Sequence, residues 1–279
     1  MSYDSYCCHI SRRRLWFYNL LCRIPIPELV HFLKKILNIR RECVTTRHGF
    51  KIFVDPVTPL GLELLATGEF EPNVSRLFQL VLRPQDVCID VGAYEGYFSL
   101  LAAGLVKEGI VFSIEPQPQL QPIIKHNAEI NSFKNIKVFQ LALSDLPSGK
   151  VKLYIAPSIF SACSSIIYER WDSLYSVNVP TATLDSFMDK MGLARVRLVK
   201  IDTEGAEYRI IQGAKEVLRQ QRVDFFAFSY HFAIIGRELG KKIHYLFYDN
   251  GYVMANVEGQ SIYHLKGLED TIAELEKKD

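Results

Sequence analysis

The sequence predicts an α/β protein: an open, doubly wound, mostly parallel sheet of seven strands that closes in an antiparallel hairpin, preceded by a short helical extension. Three observations carry this reading. Between residues 87 and 229 short apolar runs alternate with amphipathic stretches, the pattern of a parallel sheet covered by helices on both faces. Two of the apolar runs pass directly into turns that combine glycines with acidic residues, from Asp90 to Gly96 and from Asp202 to Glu207. Toward the end of the chain, Gly251 to Val257 and Ser261 to Leu265 read as two strands joined at Glu258-Gly259-Gln260.

Composition narrows the function classes. With 279 residues, 48% of them hydrophobic, the chain can build one substantial core. A net charge of +2 provides no broadly basic surface, so nucleic acid is not expected as a partner. Cys7, Cys8, Cys22, Cys43, Cys88 and Cys163 form neither a CxxC pair nor a Cys/His ladder, and no metal is expected. Cys88 lies in an apolar run, as a buried thiol in a reducing compartment does. Arg12, Arg13 and Arg14 precede the apolar stretch Leu15 to Cys22, which is too short to span a bilayer and lacks a small-residue cleavage site. Leu21 also stands where a lipoprotein signal needs a small residue before its cysteine. A cytoplasmic chain is therefore expected.

The elements follow in order. Residues 9–41 carry eight Lys or Arg against one acid, Glu28, interleaved with Trp16, Phe17, Leu20, Leu29, Phe32 and Ile36. This predicts two short amphipathic helices separated at Pro25 and Pro27. They either pack on the main domain as a cover or rest on anionic lipid, which would make the chain peripheral to the inner face of the membrane. From Cys43 to Val54 extended residues flank a hairpin turn at His48-Gly49. A helix from Asn73 to Val81 stops before Pro84. Val87 to Val91 is then a strand, Phe98 to Val106 a helix, Ile110 to Ile114 a strand, Pro118 to Asn131 a helix and Ile136 to Leu141 a strand. Residues 146–187 break the rhythm with β-prone pieces at Val151 to Ile155, Ser164 to Tyr168 and Val179 to Phe187, read as a hairpin insertion near the site. Val196 to Ile201 resumes as a strand, Glu207 to Gln220 as a helix, Val223 to Ser229 as a strand and Arg237 to Asn250 as a helix. The chain thus divides into a helical extension, 1–42, and one catalytic domain, 43–279.

The strand-to-helix turns carry the chemistry. In Ile89-Asp90-Val91-Gly92-Ala93-Tyr94-Glu95-Gly96-Tyr97 the glycines let backbone approach a ligand at a helix N-terminus, although glycine after a strand also simply makes a turn. Glu115 ends the next strand, twenty-three positions after Gly92, where an acid accepts hydrogen bonds from both ribose hydroxyls of an adenosine-containing cofactor. Asp90 at its strand end favours a cationic ligand over a pyrophosphate, and the GxGxxG spacing of nicotinamide sites is absent. The sulfonium and ammonium of S-adenosylmethionine fit that preference. In the octet Lys200-Ile201-Asp202-Thr203-Glu204-Gly205-Ala206-Glu207, Glu204 and Glu207 complement a positive helix end, but Asp202 sits at the strand terminus and needs another reason. His231 follows the strand Val223 to Ser229 and is either a hydrogen-bonded structural residue or a general base. Asp90, Glu115, Asp202 and His231 all fall at the carboxyl edge of the predicted sheet, where open α/β proteins bind ligands.

These residues resemble the FkbM family of methyltransferases from about Phe50 to Leu265. The likeness rests on Asp90 to Gly96, Ile114-Glu115-Pro116, Asn127 with Asn131 and Asn135, Ala142-Leu143-Ser144-Asp145, Thr183-Leu184-Asp185, and most specifically on Lys200 to Glu207. The resemblance implies a class I, Rossmann-like methyltransferase fold, S-adenosylmethionine as methyl donor, and usually an oxygen as acceptor. It implies donor contacts at Asp90, Gly92, Ala93, Tyr94, Gly96, Tyr97, Glu115 and Pro116, with Ala142 and Leu143 beside the adenine. Asp202 and Glu204 would lie between donor and acceptor. Tyr94 stands where Asn is common, and Ser229 stands two residues before His231 where many members carry an acid.

The expected reaction is an in-line attack of an acceptor hydroxyl on the methyl carbon, with His231 or Asp202 as base and Glu204 nearby. A glycan, a glycolipid, a lipid-linked precursor or another small molecule is the expected acceptor, and Tyr154, Phe160, Tyr168, Trp171 and Tyr175 are candidates for its wall. Two other readings share the turn and the ribose acid: a nicotinamide-dependent oxidoreductase, and a catalytically silent protein that binds the donor.

Overall fold

Apolar-rich runs become the strands of the central sheet, and those in its middle are buried on both faces. In a computed structural model that describes residues 11–24, 26–156, 164–167, 175–229, 232–257 and 260–276, these runs are β3 (Val87–Val91), β4 (Ile110–Ile114), β5 (Ile136–Phe139), β9 (Val196–Ile201) and β10 (Val223–Phe228). With β11 (Tyr252–Val257) and β12 (Gln260–Leu265) they form, among the described residues, a seven-stranded sheet in the order β11-β12-β10-β9-β3-β4-β5. β3, β4, β5, β9 and β10 are mutually parallel, and β12 runs antiparallel to both β10 and β11. The sequence-predicted strands β3, β4 and β9 coincide with the observed ones, and the terminal hairpin forms with Val257 opposite Gln260.

Side chains alternate across the sheet and feed two cores. Phe225 and Ala227 of β10 join one layer with Cys88, while Phe226 and Phe228 join the other with Ile89 and Val91. The first layer is filled from α3 (Pro59–Thr67), α4 (Pro72–Val81) and α5 (Tyr97–Leu105), together with the hairpin β1 (Glu42–Thr45) and β2 (Lys51–Val54). Tyr18 and Leu21 of α1 (Arg12–Cys22) and Val30 of α2 (Pro27–Ile36) are buried in that same layer. The second layer holds α7 (Leu184–Lys190), α8 (Glu207–Gln212), α9 (Lys215–Arg219) and Ile243 and Phe247 of α10 (Phe232–Asp249).

The asparagines of α6 (Gln121–Glu129) and the turn after it clip neighbouring chain in place. Asn127 accepts from the Phe53 amide at 2.7 Å and donates to the Glu95 carbonyl at 2.9 Å. Asn131 accepts from the Lys51 amide at 2.7 Å and donates to the Lys51 carbonyl at 2.6 Å. Asn135 donates to the Ala103 and Val106 carbonyls that close α5. Asn127 and Asn131 supply both a donor and an acceptor to the strand beside them, and Asn135 supplies donors to the carbonyls that the end of α5 leaves open.

The structure departs from the sequence reading in four places. Helix α3 was not expected; Thr58 caps it by accepting from the Gly61 amide, with Pro59 in its first turn. Residues 179–187 do not continue as one extended piece. The strand β8 (Tyr175–Ala182) ends at Thr183, where a reciprocal capping box with Ser186 starts α7. The expected helix Glu207 to Gln220 is two helices, α8 and α9, because the backbone at Gly213 lies against Ser144; a Cβ there would sit 2.1 Å from the Ser144 carbonyl oxygen. Asp185 accepts from the Glu216 and Val217 amides and so caps the second of them. A final helix, α11 (Glu269–Glu276), was also not expected.

The insertion does form a hairpin. β7 (Lys150–Ile155) pairs antiparallel with β8 from Lys150 opposite Pro180 to Ile155 opposite Tyr175, and β6 (Ala142–Leu143) joins the far side of β8. Tyr154 also bridges Ser165.

Gly213→Ala should test the close approach directly, since the glycine has an ordinary φ and only space is at issue. A stability loss of about 1 to 3 kcal/mol is expected from overpacking against backbone, read from the urea midpoint at unchanged slope.

Candidate functional site

The order of strands reverses at β3, which has β4 on one side and β9 on the other. Ligands of open α/β sheets bind in the crevice this reversal leaves at the carboxyl edge. Gly92 defines that crevice. Its φ is +79°, and a Cβ built on it would lie 1.8 Å from the Asp202 carbonyl oxygen, so the turns after β3 and β9 touch through backbone. Only glycine fits there.

A cleft opens above this contact, enclosing about 520 Å³ of atom-free space that is partly continuous with solvent. Val91, Gly92 and Tyr94 line it from the first turn, Ile114 to Gln117 from the end of β4, and Asp202, Thr203 and Ala206 from the turn after β9. Leu141, Ala142 and Leu143 close one wall, and Leu153, Ser164 and Ile166 of the insertion close another.

Glu115 is the most constrained group in the cleft. Its carboxylate accepts from the Tyr94 amide and from the Gln117 amide, each at 2.9 Å, one on each oxygen. Tyr94 reaches this position with a φ of +52°, an uncommon conformation for a non-glycine residue. Two amides orient the carboxylate and leave further lone pairs for a ligand's hydroxyls. Burial pushes the Glu115 carboxyl up to about 7, against the opposing pull of those hydrogen bonds.

Beneath the cleft lies a buried charge cluster. Lys200 places its Nζ 3.1 Å from Asp202 Oδ2 and 4.0 Å from Asp90 Oδ1, and 4.8 Å from the Phe98 ring centre. Burial lowers the Lys200 ammonium, but Asp202, Asp90 and Glu71 outweigh it and its pKa is raised. Asp90 is fully buried, and its Oδ2 accepts from Ser99 Oγ at 2.7 Å. Burial raises its pKa, opposed by Lys200 and Ser99.

The structure therefore brings Gly92, Tyr94, Glu115, Pro116, Ala142, Leu143 and Asp202 to the cleft lining. Asp90 sits under it, reaching it only through Lys200 and Asp202. Ala93 uses its amide on the Ile114 carbonyl. Gly96, with a φ of +92°, packs on Ile124, and the Tyr97 hydroxyl meets the Phe70 amide and Ser75, so neither lines the cleft. Glu204 has a φ of +50° and its carbonyl accepts from Ser165 Oγ, which ties the insertion to the turn. Glu207 accepts from the Thr203 and Gly205 amides and shapes the same turn from within. His231, like Phe160, Tyr168 and Trp171, lies outside the described residues. Tyr154 and Tyr175 do not line the cleft; their neighbours Leu153, Ser164 and Ile166 do. Sequence reasoning passed over Gln117 and Lys200 as site residues. Lys200 had a signal, since a lysine at the end of a buried apolar run needs a counter-charge.

Comparison with known proteins agrees with this architecture. Residues 90–254 match the family profile described as Methyltransferase FkbM domain. The chain belongs to the FkbM methyltransferase family. It is similar to the 2-O-methyltransferase NoeI of Sinorhizobium fredii, 23% identical over 55% of this chain and 68% of that protein. It is also similar to Methyltransferase 1 of Beauveria bassiana, 24% identical over 62% and 75% of the two chains. Among solved structures it resembles a putative methyltransferase from Streptococcus mutans in complex with SAH, at 12% identity and a TM-score of 0.44, covering 71% of this chain and 99% of that one. As a member of this family the chain is a methyltransferase whose methyl donor is S-adenosylmethionine, and the oxidoreductase reading has no support.

The residues present fit that donor. A carboxylate held by two amides suits a pair of ribose hydroxyls, and apolar walls at Ile114, Ala142 and Leu143 suit an adenine. Hydroxyl donors favour the ionised form of Glu115, so donor binding is expected to release a proton near neutrality. Affinity should rise from about pH 6 to about pH 8 and then level off. Calorimetry in buffers of different ionisation enthalpy measures the proton; Glu115→Gln should abolish the slope and weaken binding by about tenfold or more.

Proposed function

We propose that this methyltransferase moves the donor's methyl group onto a hydroxyl oxygen of a glycan, glycolipid, lipid-linked or other small-molecule acceptor. The observation that carries the reading is the pairing of two differently held acids across one cleft: Glu115 fixed by backbone amides, and Asp202 fixed by Lys200. The first is suited to grip, the second to meet an acceptor's proton. The similarity to a protein named as a 2-O-methyltransferase also favours oxygen.

In this reading Glu115 accepts the ribose hydroxyls, Pro116, Ala142 and Leu143 pack the base, and the backbone at Gly92 allows close approach. When bound, the donor supplies an electrophilic methyl carbon on a sulfonium whose leaving thioether needs no proton. Asp202 lines the same cleft as Leu153, Ser164 and Ile166 of the insertion, with its carboxylate oriented by the Lys200 ammonium at 3.1 Å. There it accepts the proton of the acceptor hydroxyl, and His231 is the alternative base. Glu204 serves through its backbone, holding Ser165 and with it the wall made by Ser164 and Ile166. Orientation in such a cleft supplies roughly 7 to 11 kcal/mol of barrier reduction, and a positioned base adds about 10² to 10⁴ in rate.

The test is transfer from a methyl-labelled donor into cell extracts separated into glycan, lipid and protein fractions. Label is expected in the glycan or lipid fraction as an alkali-stable ether; label found only as an alkali-labile ester or in protein would overturn the reading. With the acceptor in hand, Asp202→Asn should lower kcat by about 10² to 10⁴ while donor affinity is kept. Unchanged turnover would remove Asp202 from the chemistry.

A further inference from the structure

A helix packed on a soluble domain normally turns its apolar stripe inward and its charges outward. Helix α2 departs from this, since Val30 and Leu33 pack on the core while other apolar side chains face out. Val30 is buried, but one turn later Lys34 also points inward, where it pairs with Asp55. The outward positions, three and four residues apart, are Leu29, Phe32 and Ile36, with Phe32 57% and Ile36 62% exposed. Helix α1 continues the pattern: Tyr18 and Leu21 are buried, while Trp16, 68% exposed, and Leu20 face out. Trp16 and Leu20 line a shallow groove flanked by Arg12 and Arg23.

The charges sort in a matching way. Arg14, Lys34 and Arg41 are used internally, on Glu42, Asp55 and Glu95. Arg12, Arg13, Arg23 and Lys35 are exposed, and among the described residues they enter no ion pair. Residues 12–41 thus present apolar side chains among outward cations, while the excess of basic residues in this stretch leaves the rest of the chain net acidic.

We propose that residues 12–41 are a docking face for an anionic bilayer, with Trp16, Leu20, Phe32 and Ile36 entering the headgroup boundary and Arg12, Arg13, Arg23 and Lys35 meeting lipid phosphates. Protein–protein interface cores are depleted of lysine, whereas basic and aromatic residues mixed on short helices are what an interfacial helix requires. Each helix is about 15 Å long, half of what crossing the hydrocarbon core needs, and among the described residues no helix is long and apolar enough to cross a membrane. The helices therefore lie on the surface. Arg41 bonds Glu95, which lies in the turn that carries Gly92 and Tyr94, so the docked face is tied to the carboxyl edge of the sheet where the cleft opens.

The experiment is co-sedimentation of the full chain with vesicles of phosphatidylcholine alone or of equal parts phosphatidylcholine and phosphatidylglycerol, followed by the fluorescence of Trp16 in a Trp171→Phe background. Binding to the mixed vesicles is expected to exceed binding to phosphatidylcholine by about tenfold or more, to weaken with salt, and to shift Trp16 emission to the blue. Arg12→Glu, Arg13→Glu and Lys35→Glu together should cut partitioning by about a hundredfold or more, and Phe32→Ser with Ile36→Ser should remove the emission shift. Donor affinity, compared with the Trp171→Phe parent and unchanged in each further variant, reports intact folding, since Arg12, Arg13, Phe32, Lys35 and Ile36 do not line the cleft. Equal binding to both vesicles, no binding to either, or a soluble dimer that Phe32→Ser dissociates would overturn the proposal.

Discussion

The site depends on one contact between two backbones. At Gly92 the turn after β3 comes so close to the turn after β9 that the Asp202 carbonyl oxygen takes up the space of a side chain. From this meeting point the other positions follow. Gly92 and Ala93 send their amides to the Ile114 carbonyl, which sets the end of β4 and hence Glu115. The Asp202 amide bonds the Val91 carbonyl, which sets the far wall. Two strands remote in sequence are thereby fixed within one cleft by main chain alone, before any side chain contributes.

The charge cluster below shows what that rigidity supports. Lys200 and Asp90 share a space with little access to water, where an unpaired member would cost several kcal/mol, and Asp202 stands at its edge facing the cleft. Lys200 is balanced by Asp202 and Asp90, and Ser99 takes a further lone pair of Asp90. The arrangement couples a group under the floor to one on its surface. Asp90, which the sequence reading placed against the donor, acts on the cleft through the ammonium between the two acids.

How much was legible in the sequence depended on the range of the physics involved. β3, β4 and β9 were readable because strands buried on both faces are apolar-rich, and Glu115 and Asp202 because an acid just past the end of such a strand stands out from it. Gly92 was readable as a tight turn, though not as the point of contact with Asp202. The break between α8 and α9 was not readable, since Gly213 has a negative φ open to any residue and is set by its close approach to Ser144, which is remote in sequence. Helix α7 was in principle legible from Thr183 and Ser186, but β-prone residues before it drew the reading onward. The inward turn of Lys34 was hidden for the same reason as Gly213: its partner, Asp55, lies on another element.

The sequence suggests a seam at residue 42, yet three ionic clasps cross or border it. Arg41 meets Glu95, a carboxyl that burial pushes up to about 7 even with its guanidinium partner, and Lys34 meets Asp55, whose amide contacts Glu95 in turn. Arg14 and Tyr18 converge on Glu42. Trimming the chain at that seam would strip the counter-ions from Glu95, in the turn that carries Gly92 and Tyr94, and from Asp55, whose amide contacts it, so the leading helices are structural partners of that turn.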